Sequence, residues 1–247
     1  MAPSSAFPAA AVEWLTAGAG SVLAVGTPSL RLAGRLSPNA HRVTLVARDP
    51  AGLAGRLPSA AVAVAAAPDA LPFAPCTFDR VVVVDTLHRL PPRLALAEFA
   101  RVLLPGGGLA VVHTDRDDSV PWVRRLAGIV RRIDSQAMTG ATTSATAAAL
   151  HDNPYFPMLH RREFRRWVPA ARPDLLAMVR RLDGFADTDP DVADDVLAEA
   201  GNLYDQVARV PDPLLLPYTV TCWQGEVDHT ELTAPLETDD AGLRIRL

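Results

Sequence analysis

The chain has 247 residues, of which 49% are hydrophobic and 21% are charged, so it can bury one sizeable core. A net charge of -4 at pH 7 and a pI near 5.8 argue against bulk attraction to nucleic acid or to anionic membranes. Two isolated cysteines predict neither a disulfide framework nor a metal site, and no apolar run is long enough to cross a membrane. We therefore expect a cytoplasmic protein that neither binds nucleic acid nor inserts into a membrane.

The first two thirds of the chain alternate short β-branched runs with helical patterns, which is typical of βαβ units and a mainly parallel sheet. Strands are predicted over residues 21–26, 42–47, 61–65, 79–84 and 107–114, and helices over 91–103 and 121–132. Val81 to Val84 form an uninterrupted apolar run. Such a run is expected for a strand in the middle of the sheet, with helices on both faces.

The last third of the chain begins with residues 139–149, TGATTSATAAA, which carry few large apolar side chains. This segment predicts a mobile loop or a weak helix, and we expect the loop. Beyond it the pattern predicts strands over residues 163–168 and 215–224 and helices over 173–182 and 191–208. We expect a single domain over residues 1–247, with its core over 8–132 and 160–227, a lid or loop over 133–159 and a peripheral tail over 228–247.

Two ordered segments carry a family resemblance. Residues 69–90 (DALPFAPCTFDRVVVVDTLHRL) and 97–112 (AEFARVLLPGGGLAVV) combine LPF, FD, a valine strand, LH and a glycine turn in one long order. They resemble the class I S-adenosylmethionine-dependent methyltransferases of the type 11 superfamily. Residues 116–122 (RDDSVPW) and 216–223 (LPYTVTCW) resemble its bacterial, trans-aconitate methyltransferase-like branch. The resemblance implies a Rossmann-like α/β fold whose seven-stranded, mainly parallel sheet has an antiparallel last strand and helices on both faces.

The family binds S-adenosylmethionine at the carboxyl ends of its first strands, as open α/β sheets generally bind ligands. There the first strand ends in an acid and a G-x-G-x-G loop, but the acid position here is Ala24. Gly26 is retained, whereas Pro28 and Leu30 hold the next two glycine positions. Pro28 has no N–H to donate, and Leu30 adds bulk against the ligand or the helix. Gly26 and Thr27 remain the candidate cofactor contacts of this loop.

Two further family acids are also replaced. The acid that binds the ribose hydroxyls corresponds to Ala47, and the acid that receives the adenine amino group corresponds to Ala67. Each lost charge-assisted bond costs roughly 1.5–3 kcal/mol. Asp49, Asp69 and Asp85 are candidate substitutes in a shifted cofactor pose. Asp49 alternatively starts an Asx-Pro turn, and Asp85 alternatively caps the local backbone.

The candidate catalytic residues are two histidines, one just after the predicted fourth strand and one at the end of the predicted fifth. His88 and His113 fall at the carboxyl edge of the sheet, where an imidazole can act as a base near neutral pH. The alternative for His88 is a structural role at a helix entry, and for His113 a position at the rim. Arginine pairs recur between residues 124 and 181. They indicate either solvated helix faces or a site for an anionic substrate or a partner protein.

These observations favour a methyltransferase-like protein with an eroded S-adenosylmethionine site. It would act as a pseudoenzyme or as the non-catalytic partner of an active methyltransferase homologue, in a homo- or hetero-oligomer. The alternative is an active methyltransferase for a small acidic or hydroxylated metabolite, in which the cofactor pose is altered. A third hypothesis is cofactor-free chemistry through the two histidines.

Overall fold

The structure is a computed structural model that describes residues 7–30, 32, 42–49, 57, 61–151, 153–209 and 213–233. Its strands are β1 (Ser21–Val25), β2 (Arg42–Ala47), β3 (Ala61–Ala65), β4 (Phe78–Val84), β5 (Leu103–Arg116), β6 (Leu159–Ala170) and β7 (Leu214–Glu226). Its α-helices are α1 (Ala9–Thr16), α2 (Pro92–Val102), α3 (Pro121–Val130), α4 (Ala141–His151), α5 (Arg172–Val179), α6 (Pro190–Val207) and α7 (Thr230–Thr233). Short 3₁₀ turns lie at Thr27–Ser29, Leu87–Arg89 and Phe185–Asp187.

The seven strands form one sheet in the order β3-β2-β1-β4-β5-β7-β6. The pairs among the first five strands are parallel, whereas β7 runs antiparallel to both β5 and β6. β4 therefore stands at the centre, and its residues Val81 to Val84 are completely buried. The sequence-based predictions of a mainly parallel sheet, an antiparallel last strand and a central valine strand are confirmed.

Apolar clusters cover both faces of the sheet. On one face α1 packs over alternate residues of β1, β2, β4, β5 and β7. On the other face α2 and α4 pack over the intervening residues of the central strands. A third cluster joins α3, α5 and α6 to the ends of β6 and β7. Because successive strand residues point to opposite faces, the apolar runs of the central strands supply both clusters.

The FD pair in the sequence has a structural explanation at the start of β1. The Asp79 carboxylate accepts hydrogen bonds from the Ser21 backbone N–H at 2.7 Å and from the Ser21 hydroxyl at 3.0 Å. These bonds tie the first residue of β1 to β4, its neighbour in the sheet. Asp79 therefore belongs to the amino edge of the sheet and holds the register of two central strands.

The LPF segment is fixed by α2. Arg101 donates to the carbonyl oxygens of Phe73 at 2.8 Å and of Leu71 at 3.0 Å, and Glu98 accepts from the Leu71 N–H at 2.8 Å. Arg101 also pairs with Glu98 through two bonds of 2.7 and 2.8 Å. Hydrogen bonding from Arg101 lowers the pKa of Glu98 below its ordinary value, against the opposing effect of burial. This network anchors the approach to β4.

One segment differs from its prediction. The expected loop over residues 139–149 is wrong, because most of it forms α4, whose side chains Thr146 and Leu150 are buried. Small residues make this helix weakly amphipathic, so tertiary packing decides its structure where its sequence pattern does not. Of the predicted tail over 228–247, residues 234–247 lie outside the described residues. His229, just before α7, contacts the Ala100 carbonyl oxygen at 2.9 Å through its Nε2.

Candidate functional site at the carboxyl edge of the sheet

The loop after β1 begins with a glycine that the surrounding structure requires. Gly26 has a φ of +85°, and a Cβ at this position would collide with the Thr86 hydroxyl. Its N–H donates to the Val46 carbonyl oxygen at 2.8 Å, which joins the loop to β2. Thr27 follows as an exposed residue in the 3₁₀ turn. Gly26 therefore lets the Thr86 side chain approach the β1 backbone closely.

Ala24 in β1 and Leu30 after the 3₁₀ turn, two of the positions that differ from the family pattern, belong to the apolar interior. Ala24 is completely buried in the cluster beneath α1, and Leu30 packs against the same cluster. A carboxylate at residue 24 would enter a region that offers it apolar neighbours, at a large cost in desolvation. The cluster that Leu30 packs against includes Val12 and Leu15 of α1, so this leucine contributes to the packing of that helix.

The ends of β2 and β3 are similarly altered. Ala47 is 3% exposed and belongs to the apolar cluster beneath α1. Asp49, two residues further on, is exposed. Asp69 pairs with Arg48 at 3.3 Å, and this ion pair spans the ends of the two strands. The acids nearest to the family positions therefore lie in the loops and not on the strands.

The end of β4 contains a strained acidic residue. Asp85 has a φ of +46°, a backbone conformation that costs about 1–3 kcal/mol for a residue other than glycine. Its Oδ1 accepts a hydrogen bond from the Thr114 N–H at 2.7 Å, and its own N–H donates to the Val112 carbonyl oxygen at 2.9 Å. Both bonds join Asp85 to β5. Local capping, one of the two roles weighed for this residue, is thus present in the structure.

A buried histidine stands beside Asp85. His113 is 5% exposed, so the rim position considered for it is wrong. Its Nδ1 lies 3.7 Å from Asp85 Oδ1, and its Nε2 lies 3.5 Å from Asp115 Oδ1. The same Nε2 is 2.8 Å from the Thr142 hydroxyl of α4. The imidazole is therefore held between two carboxylates, with α4 above it.

His88 completes this polar cluster. Its ring meets the His113 ring edge-on, with 5.3 Å between the centroids and 88° between the planes. Its Nδ1 is buried and has no hydrogen-bond partner among the described residues. Burial lowers the pKa of His88 below its ordinary value, and the neighbouring His113 and Arg89 lower it further, against a raising effect from Asp115. His88 is therefore neutral near pH 7.

Two more groups around the cluster have shifted pKa values. Burial raises the pKa of Asp115, but hydrogen bonds from His113 and Thr143 outweigh it, so the pKa is lowered overall. Asp115 therefore stays ionised beside His113. Burial raises the pKa of the Cys222 thiol to about 12, with a further contribution from the Asp85 charge. Cys222 is thus an inert neutral thiol at physiological pH.

The structure brings three of the predicted site residues, Asp85, His88 and His113, into one cluster. Asp115 and Thr142 join them there. We call these five residues the acceptor cluster. Gly26 adjoins it through Thr86, whereas Asp49 and Asp69 lie at the ends of other strands. Sequence reasoning missed Asp115, although it follows His113 by two residues and so shares its face of β5. Thr142 carried no signal, because its segment was expected to be a loop.

Two findings limit the chemistry of the described part of the chain. No group of three or more histidine, cysteine, aspartate or glutamate side chains there could hold a metal ion. Among the same residues, no helix combines the length and the apolar character needed to cross a membrane.

Comparison with known proteins agrees with this architecture. Residues 23–111 match a methyltransferase domain family, Methyltransf_11. This segment belongs to the class I S-adenosylmethionine-dependent methyltransferases. An uncharacterized methyltransferase of Mycobacterium tuberculosis is 35% identical over 132 residues, which are 51% of this chain and 53% of the relative. The chain thus spans about half the length of the curated relatives it matches. The narrower resemblance to the trans-aconitate branch stays a prediction.

Solved structures show the same methyltransferase fold. A putative type II methyltransferase from Anaeromyxobacter dehalogenans is 20% identical, with a TM-score of 0.71 over 92% of this chain and 98% of its own. A putative methyltransferase from Anabaena variabilis is 14% identical, with a TM-score of 0.57 over 86% of this chain and 95% of its own. At these identities the likeness concerns the fold alone.

The described residues do not fit S-adenosylmethionine in the way that the family binds it. The two strand positions expected to carry carboxylates, Ala24 and Ala47, are buried among apolar side chains. Pro28 offers no N–H, and the Asp69 carboxylate is engaged by Arg48.

Proposed function

We propose that this chain is a methyltransferase-fold protein whose S-adenosylmethionine site is eroded. It would act as a pseudoenzyme or as the non-catalytic subunit beside an active methyltransferase. The observation that carries the proposal is the burial of Ala24 and Ala47 in one apolar cluster. Since each missing charge-assisted bond costs roughly 1.5–3 kcal/mol, two or three losses weaken a micromolar ligand by several orders of magnitude.

Calorimetric titration and thermal unfolding with 1 mM S-adenosylmethionine test this proposal. A ligand with a Kd of about 10 µM would then be at about 100 times its Kd and would add about 2.7 kcal/mol to the free energy of unfolding. We expect no saturable heat and no rise in the melting temperature. Micromolar binding together with methyl transfer to any acceptor would overturn the proposal.

The second candidate is an active methyltransferase for a small acidic or hydroxylated metabolite. The acceptor cluster favours it, because His113 between Asp85 and Asp115 has the surroundings of a general base. In this candidate His113 takes a proton from the acceptor hydroxyl, and a neighbouring carboxylate stabilises the imidazolium that forms. Opening of α4 would have to give the acceptor access, since Thr142 contacts the same nitrogen.

Methyl-labelled cofactor distinguishes the two candidates. If the second candidate is correct, a panel of hydroxylated and carboxylated metabolites will include an acceptor that gains label. His113→Asn should then abolish the transfer while cofactor binding persists. Replacing Asp49, Asp69 and Asp85 together by asparagine should weaken cofactor binding if they substitute for the missing acids. Unchanged affinity in that triple variant would exclude the altered pose.

A partner subunit would fit the outer strand β6. Among the described strands, β6 pairs with β7 alone, so its other edge leaves backbone groups without a partner from a described strand. It also carries Trp167, which is 52% exposed, and the exposed residues Arg161 and Arg165. Light scattering of the chain alone, and mixed with a methyltransferase homologue from the same organism, should show an assembly that Trp167→Glu weakens. A monomer in both samples would contradict it.

A cytoplasmic location is part of the same proposal. Both cysteines, Cys76 and Cys222, are free in the structure, and Cys76 is exposed, which favours a reducing compartment. Fractionation of the source cells with an antibody against the chain tests this location. Recovery of the protein outside the cytoplasmic fraction would overturn it.

A further inference from the structure

A cleft lies between the start of α2 and the second half of α4. Its volume is about 670 Å³ and its lining is mostly apolar, as in clefts that bind small organic molecules. Leu96, which is buried, and Tyr155, which packs against the same apolar cluster, form part of the lining. We call this feature the α2–α4 cleft. The acceptor cluster contributes none of its described lining residues.

Small side chains on α4 keep the cleft open. Ala145, Ala148 and Ala149 line it, and their spacing places them on one face of the helix. Larger apolar side chains at these positions would fill the space between the two helices. Ala145 and Ala148 are exposed instead. A ligand that covered this face would remove apolar surface from water, which favours binding.

Arg93 brings a positive charge to the cleft. It lines the cleft and is exposed, and it has no hydrogen bond or ion pair within the described part of the chain. No acid is among the described lining residues, and the first turn of α2 contains none. A cation in the first turn of a helix opposes the helix dipole. Stabilisation of α2 therefore does not explain Arg93, whereas an anionic ligand group would.

The other polar side chains of the cleft differ in their availability. Asn153 is engaged locally, because its amide donates to the Leu150 carbonyl oxygen and accepts from the Phe156 N–H at 2.9 Å. The Tyr155 hydroxyl has no hydrogen-bond partner among the described residues. The cleft therefore combines an apolar wall with one cation and one neutral hydroxyl. Such a combination selects a molecule with an apolar body and an anionic head.

We propose that the α2–α4 cleft binds a small amphipathic carboxylate. Its aliphatic chain lies against the alanine face of α4, and its carboxylate pairs with Arg93, since a guanidinium binds a carboxylate bidentately. The inference goes beyond the proposed function, because binding in this cleft depends neither on loss nor on retention of S-adenosylmethionine.

Calorimetric titration of the full chain with decanoate, below its micellar concentration, tests the proposal. 1-Decanol and decylamine carry the same chain with a neutral and a cationic head. We expect one saturable site for decanoate, binding of decanol that is about tenfold weaker because a charge-assisted bond is missing, and no binding of decylamine. Absence of saturable decanoate binding would overturn the proposal, as would equal binding of all three compounds.

Filling the cleft tests its location. Ala148→Leu places a larger side chain in the cleft and should weaken decanoate binding by about tenfold through overpacking. Ser144→Leu is the matched control, because Ser144 is exposed on the same helix and is not among the described lining residues. It should leave binding unchanged, and an equal loss in both variants would overturn the location. If Ala148→Leu lowers the melting temperature, Ala145→Leu replaces it.

Removing the cation tests the head group. Arg93→Gln should weaken decanoate binding by about tenfold and leave decanol binding unchanged, a difference that a merely structural role would not produce. Arg125→Gln, at an exposed arginine of α3 that contacts Gln206, is the control and should change neither. Unchanged decanoate binding in Arg93→Gln would contradict the proposal. A dimer in sedimentation velocity that Ala148→Leu dissociates would also contradict it, because a second copy would then cover the cleft.

Discussion

The two halves of the carboxyl edge differ sharply in character. At the ends of β1, β2 and β3, which we call the cofactor half, the family positions hold Ala24, Ala47 and Ala67, the first two buried in the apolar core. At the ends of β4 and β5 the acceptor cluster places two carboxylates and two imidazoles within contact distance. The erosion that we propose is confined to the cofactor half, because the ends of β4 and β5 carry carboxylates and imidazoles in close contact.

The acceptor cluster contains residues whose backbone strain or burial destabilises the folded chain. Asp85 holds a left-handed backbone conformation, and His113 is buried between two carboxylates. Strained and desolvated polar residues persist where the surrounding structure fixes them, and they concentrate at functional sites. The contrast therefore teaches that strained and buried polar residues stand at the ends of β4 and β5, whereas Ala24 and Ala47 at the ends of β1 and β2 are buried and apolar.

Restoring an acid in the cofactor half gives the largest effect that we expect. Ala24→Asp places a carboxylate at a position with no exposure, inside the cluster beneath α1. An uncompensated buried charge costs about 3–5 kcal/mol. The free energy of unfolding, measured by urea denaturation, should fall by that amount, and binding of S-adenosylmethionine should not appear.

Ala65→Asp is the control for this substitution, because Ala65 is the exposed last residue of β3. It should change the free energy of unfolding by less than about 0.5 kcal/mol. If Ala24→Asp were instead tolerated and bound the cofactor, the cofactor half would be a working site that lacks one group. The comparison between the halves would then fail.

A substitution in α4, the helix that contacts the acceptor cluster, tests the other half of the comparison. Thr146 is 1% exposed, and its hydroxyl has no hydrogen-bond partner among the described residues. Thr146→Val keeps the shape and removes the unsatisfied hydroxyl, so it should stabilise the protein by about 1 kcal/mol. Ser144→Ala, at an exposed position of the same helix, should have little effect. Destabilisation by Thr146→Val would mean that the hydroxyl serves a ligand or water of the site.

Much of the fold could be predicted because the central strands are uninterrupted apolar runs that end at clear turn residues. The valine run predicted the position of β4 as a buried central strand, and the glycine turn predicted where the main part of β5 begins. α4 could not be predicted in this way. Its alanines and threonines have no strong periodicity, and its helical structure depends on packing against β5 and the turn at Leu87–Arg89.

The location of a site residue could be predicted where its position relative to the end of a strand decides where it lies. His88 follows β4 and His113 lies near the end of the adjacent parallel strand β5, so their side chains meet at the shared edge. Asp85 was predicted to face the cofactor or a polar acceptor, or else to cap the local backbone. Its hydrogen bonds with Thr114 and Val112 join it to β5, and its backbone adopts a left-handed conformation. A positive φ is uncommon for residues other than glycine, although aspartate adopts it more often than most, and a strand-and-turn pattern does not predict it.

The smallest effect concerns the pH dependence of stability. In the folded chain burial, His113 and Arg89 lower the pKa of His88, whereas unfolding restores an ordinary value near 6.5. The unfolded chain therefore takes up the proton first, and the free energy of unfolding falls as the pH drops below about 6.5. His88→Gln should reduce this slope between pH 7.5 and 5.5, measured by urea denaturation at each pH.

His160→Gln, at an exposed position of β6, provides the control and should leave the slope unchanged. Asp115 does not confound the comparison, because its lowered pKa keeps it ionised throughout this range. An equal slope in the wild type and in His88→Gln would mean that His88 is as well solvated in the folded chain as in the unfolded one. The acceptor cluster would then be open to water and not a desolvated site, and the difference between the two halves of the edge would be one of composition alone.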